Sequence, residues 1–281
     1  MPPAPLRFLT RIARRLRAAI APEPEISADL WLATLGHYPF LKTLPLADQA
    51  KLRALSALFL QHKEFSGAHG LVVTDAMAVA IAAQACLPLL HWGRPRQALA
   101  WYDDFVGIVV HPAEALARRK TMDAAGVVHH YSEVLLGEAM DHGPVMLAWP
   151  AVAAAGRSGH ASSVVIHEFV HKIDMKSGGA DGCPPLPPGF MGTGGVRAAH
   201  AAWHAAWKPA YAQFRDQVII AERFGGEWPW LDAYGATSPA EFFAVACEAY
   251  FVHRERFAQE FPALLPVLDA LFRPAQAIQV K

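Results

Sequence analysis

Val164-Val165-Ile166-His167-Glu168-Phe169-Val170-His171-Lys172-Ile173-Asp174 is the stretch on which the fold turns. Residues four apart on a helix differ by about 400° of rotation at roughly 100° each, so His167 and His171 stack on one face, one turn apart. They can share one ion. Zinc favours imidazole nitrogen, and a hydrolytic zinc keeps three protein ligands and leaves a fourth position to water, so the pair needs one further ligand. Glu168, beside the first histidine, is placed to act on that water as general base. The flanks Val164, Val165, Ile166, Phe169, Val170 and Ile173 fit a helix buried on most sides. Two satisfied core histidines are the blander reading, but burial without partners is costly, and metal ligation supplies a partner to each.

The residues after His171 sort the chain among zinc hydrolases. The metzincin pattern needs Gly three residues after the second histidine and another ligand three beyond it. This chain has Asp174 and Ser177 there. A downstream acid on a second helix is the better option. Ser238 to Phe251 reads as that helix, with Ser238 as N-cap and Pro239 at its first position. Glu241 falls in its first turn. Glu248 lies two turns on, on nearly the same face, so periodicity leaves both carboxylates open as the ligand or its support.

The runs VVIHEFVHKIDMKSG and LDAYGATSPAEFFAVACEAYF, with Ile81 to Leu90 and Gly143 to Trp149 upstream, resemble the Mlc titration factor A family of zinc metallopeptidases. The resemblance extends over most of the chain from about residue 30. It implies a zincin-like fold of gluzincin type, Zn2+ as cofactor, hydrolysis of peptide bonds (aminopeptidase action included), and Glu241 of the Pro-Ala-Glu element as third ligand. Glu248 then has a supporting role. The family is similar at its active site to anthrax lethal factor, which makes Tyr234, seven residues before Glu241, the oxyanion donor. A phenol beside zinc meets the need of a carbonyl oxygen gaining negative charge; a packed Tyr in a turn near Gly235 is the plainer alternative. The resemblance also implies a second role, a regulatory protein that sequesters a glucose-responsive transcriptional repressor such as Mlc.

At 281 residues and 53% hydrophobic content the chain can bury a sizeable core. One domain is expected over residues 26–281. Lys plus Arg equals Asp plus Glu, 25 each, which gives no global electrostatic case for nucleic acid as a direct partner. Arg7, Arg11, Arg14, Arg15 and Arg17 interleave with Leu6, Phe8, Leu9, Ile12, Leu16 and Ile20, so residues 1–25 read as a basic amphipathic arm, more simply a loosely attached helix than a membrane anchor. No stretch reaches the ~18 apolar residues of a membrane span, and the N-terminus lacks the pattern of a secretory signal. Cys86, Cys183 and Cys247 are odd in number and widely spaced, which fits a reducing cytoplasm.

The expected fold is α+β, mainly helical with a small mixed sheet. Leu46 to Phe65 shows apolar residues at helical intervals, and Thr74 caps a second helix reaching about Leu87. Phe105 to Val110, Gly126-Val127-Val128 onward, and Val145 to Trp149 read as the sheet. The last run comes shortly before the metal helix, as either a substrate-pairing edge or a plain interior strand. The Gly- and Pro-rich stretch 178–195 forms a loop near the cleft. Val196 to about Phe224 is a helix whose Trp203, Trp207, Tyr211 and Phe214 serve packing. His200 and His204 on it read as ordinary helix histidines.

Overall fold

A computed structural model describes residues 24–113, 115–122, 128–157 and 162–274; the arginines of the expected basic arm lie outside the described residues. Helix α1 spans Ala28–His37 and α2 Leu46–His62, followed by strand β1, Glu64–Gly67. Helix α3, Asp75–Cys86, starts where Thr74 Oγ1 accepts the Met77 N–H. Strand β2 is Gly107–His111, β3 Ala115–Met122, β4 Val128–Leu135, β5 Gly137–Ala139 and β6 Val145–Ala148. Helices α4, Trp149–Ala154, and α5, Val164–Asp174, come next. The long α6 runs Val196–Phe224, and α7, Pro239–Val252, α8, Arg254–Glu260, and α9, Leu265–Phe272, complete the described chain.

The fold is α+β, mainly helical, with a mixed sheet of order β1-β2-β6-β5. The first three strands run parallel, and β5 pairs antiparallel with β6 at the margin, Gly137 opposite Leu147 and Ala139 opposite Val145. Parallel neighbours need long crossovers. Helix α3 lies in the β1 to β2 connection, and the β3–β4 hairpin lies in the next.

Two expectations need correction, and one of two open alternatives is selected. The run from Gly126 does not join the main sheet: from Val128 it forms β4 and pairs with β3 alone. The run from Val145 is an interior strand, flanked by β2 and β5, and Trp149 already belongs to α4. The helix expected to Phe65 stops at His62, because Lys63 turns extended and sends its Nζ to the carbonyls of Tyr102 and Phe105, while the Glu64 N–H joins Val106 O. Tertiary pairing overrides the helical pattern there.

The core is built around α5. Phe169 is fully buried among Phe59, Tyr102 and Phe105, with ring centroids 5.7, 5.0 and 5.8 Å away. Such burial contributes about 1.5–3 kcal/mol. On the far side, Trp203 and Trp207 of α6 stack at 4.6 Å and meet Phe243 of α7, the packing role expected of them. The 178–195 loop begins by tying these parts together. Gly182 has φ +81, and a Cβ there would lie 2.4 Å from Pro239 O. Its N–H donates to Asp174 Oδ2 at 2.8 Å, and its carbonyl accepts from Trp203 Nε1 at 3.0 Å. The end of α5 is thereby joined to the start of α7.

Candidate metal centre

Each helix that shapes the site starts at a serine cap. Ser163 Oγ accepts the Ile166 N–H ahead of α5, and Ser238 Oγ accepts the Glu241 N–H ahead of α7, both at 3.2 Å. Pro239 opens α7, its ring pre-set for the first helical position. The caps fix where the side chains one turn further on point. His167 and His171 come to one face with ring centroids 4.8 Å apart. Glu241 Oε2 lies 2.9 Å from His167 Nε2 and 3.2 Å from His171 Nε2, and the two Nε2 atoms are 3.2 Å apart. Among the described residues, these three form the group of His, Cys, Asp and Glu side chains whose donor atoms converge on one point. His200 and His204 are not in it.

An ion held at about 2.0–2.2 Å by three corners of a tetrahedron sets its donor atoms roughly 3.3 Å apart. The observed triangle is within a few tenths of an ångström of that size. Its chemistry also fits a cation. His167 Nδ1 is 2.8 Å from Glu248 Oε1, and with Nδ1–H donating there, the Nε2 lone pair faces the triangle. Burial opposes a charge on His167, but hydrogen bonds to Glu241 and Glu248 outweigh it and raise its pKa well above 6.5. Burial likewise raises Glu241, yet the two imidazoles win and hold it down at about 2. The site favours positive charge at its centre. Glu241, rather than Glu248, faces both imidazoles.

Glu248 stands behind His167 in a chain that periodicity did not reveal. Its second oxygen accepts the Ser163 N–H at 2.5 Å, and Ser163 Oγ donates to the buried Gln84 Oε1 at 2.8 Å. Burial raises the Glu248 pKa. The N-cap signal of Ser163 is readable in the sequence; Gln84, from α3, carries no such mark.

Glu168 is 5% exposed and points to β5, where the Ala139 backbone N–H bonds to it. Burial pushes its pKa up. Tyr234 sits in the Ala233–Ala236 turn, which Asp232 caps, with its ring centroid 6.2 Å from that of His167 and 40% of its surface exposed. The structure thus brings all five expected residues to one locality, with Tyr234 at the rim rather than packed inside.

A helix that brings two histidines to one face beside an adjacent acid, opposite a carboxylate from a second helix across a donor-sized gap, marks a metallopeptidase-like protein. The chain belongs to the glucose-regulated metallo-peptidase M90 family, whose sequence profile matches residues 11–273. It is similar to the Mlc titration factor A of Salmonella gallinarum, 32% identical over 246 residues covering 86% of each chain. The protein of that name from Salmonella arizonae is 33% identical over 254 residues, 89% of this chain and 93% of the relative. No helix among the described residues is long and apolar enough to cross a membrane.

Proposed function

We propose that this protein is a zinc-dependent peptidase in which His167, His171 and Glu241 hold the ion. The observation that carries this reading is the donor triangle, with the buried Glu168 one residue from its first corner. Bound zinc supplies Lewis-acid chemistry there, polarising a carbonyl and acidifying water. Glu168 takes the proton of the attacking water and delivers it to the leaving amine. Burial raises its pKa, which makes it a better acceptor for that proton than an exposed carboxylate. Tyr234 donates its phenolic hydrogen bond to the carbonyl oxygen as charge develops. Glu248 keeps His167 in the tautomer that presents Nε2. The margin strand β5 receives the extended peptide backbone.

Elemental analysis of the purified protein, with aminoacyl chromogenic substrates assayed before and after chelation, tests the proposal. One equivalent of zinc and chelator-sensitive cleavage are expected. Glu168→Gln should keep the zinc and lose on the order of 100-fold or more in turnover; wild-type cleavage by that variant would remove Glu168 from its role.

The relatives' name, Mlc titration factor A, supports a second role for this chain, binding of an Mlc-like transcriptional repressor. Glu168→Gln separates the two roles, because capture of such a repressor by the inactive variant shows that binding needs no catalysis. The three cysteines are free and buried, in keeping with a cytoplasmic place of action.

A further inference from the structure

Lys172 follows Glu168 by four residues on α5, so both side chains leave the same face, and both end on β5 and the turn that returns from it. Lys172 is fully buried. Its Nζ donates to Met140 O at 2.8 Å and Gly143 O at 3.4 Å, and pairs with Asp104 Oδ2 at 2.9 Å. Lys176, one turn on, holds the other oxygen of Asp104 at 2.7 Å. The ammonium therefore grips the end of β5 from a helix that cannot shift without moving the histidines.

The other end of β5 meets Glu168. A Cβ on Gly137 would stand 2.7 Å from both Glu168 Cγ and Oε1 and 2.8 Å from Val164 Cγ2, so only glycine lets strand and carboxylate come this close. In the ladder, Ala148 N–H reaches Leu136 O and Met140 N–H reaches Pro144 O. The peptide groups of Gly137 and Ala139 consequently point away from β6, which is how the Ala139 N–H reaches Glu168. A strand of three residues has little pairing of its own to fix its height.

We propose that Lys172 and Gly137 are positioning residues that set β5 against Glu168, so that one strand both aims the proton-transferring carboxylate and fixes the line along which an extended peptide lies. This rests on the peptidase reading for its catalytic consequence, but the placement of β5 is measurable without turnover. Hydrogen exchange of fragments spanning residues 137–143 is compared in the zinc-loaded wild type, in Lys172→Met combined with Asp104→Asn, which leaves no buried carboxylate unpaired, and in Gly137→Ala. Both variants should exchange this segment roughly tenfold faster or more, the equivalent of one lost hydrogen bond to a charged group. Zinc stoichiometry and affinity should stay at wild-type values, and kcat/KM should fall on the order of 100-fold, as for a reacting group misplaced by about 1 Å. Wild-type exchange in both variants overturns the proposal. So does zinc affinity falling in step with turnover in both, which would make these residues part of general stability. If the wild type cleaves no peptide, the peptidase reading fails by itself, and the exchange and zinc measurements still decide where β5 is held.

Discussion

His167 is gripped from both sides: Nε2 faces Glu241, and Nδ1 faces Glu248, whose own second oxygen is spent on Ser163. An imidazole held in this way cannot rotate or change tautomer without breaking a buried bond. Glu248→Ala is therefore expected to weaken zinc binding 10–100-fold in a chelator competition, though Glu248 never touches the ion; unchanged affinity would reduce Glu248 to packing. Away from the centre, Lys63 is the residue with the clearest pH signature. Burial is the largest influence and lowers its pKa to about 8, against the pull of Asp103 and Asp104. The unfolded value is about 10.4, so between these limits the unfolded chain holds more protons and stability rises with pH. The penalty is in full force below pH 8 and gone above about 10.4. Urea unfolding of the wild type and Lys63→Met should show their difference moving by on the order of 2–3 kcal/mol in favour of the wild type between those limits. A difference independent of pH contradicts this.

The helices α5 and α7 were legible because their signals are local. Apolar spacing, the Ser238 cap and Pro239 all act within one turn of the residue concerned. The strand β5 was not. Gly137-Glu138-Ala139 has none of the β-branched or aromatic residues that mark strands, and it exists because β6 and α5 hold it. Strand β1 was hidden for a related reason, since Glu64 and Phe65 continue a helical pattern until long-range pairing with β2 claims them. Periodicity could not choose between Glu241 and Glu248 either; which one faces the histidines depends on how α7 crosses α5. At this scale the Ser163 cap has the sharpest consequence. Ser163→Ala removes the bond to the Ile166 N–H and leaves Gln84 Oε1 without its donor, so a loss of about 1–2 kcal/mol is expected in denaturant unfolding. A loss of only a few tenths would show that the cap does not hold the metal helix.

For the molecule as a whole, the proposed ion joins two helices separated by more than sixty residues of chain, from Asp174 to Pro239. A ligand that binds only the folded form stabilises it by about 2.7 kcal/mol at 100 times its Kd. Stripping zinc should accordingly lower Tm by several degrees, and Glu241→Ala should erase that difference while also lowering the Tm of the metal-free protein, because both imidazoles lose their carboxylate; equal Tm values with and without zinc in the wild type would argue against a bridging ion. Gly182 sets a second, permanent link along the same path, its backbone pressed on Pro239 and tied to Asp174 and Trp203. Evolution and engineering meet an asymmetric segment here. Lengthening the loop at its exposed end, Gly194-Gly195, adds slack that solvent absorbs, whereas a single extra methyl at Gly182 acts as a wedge that prises the carboxylate-bearing helix off its two histidines.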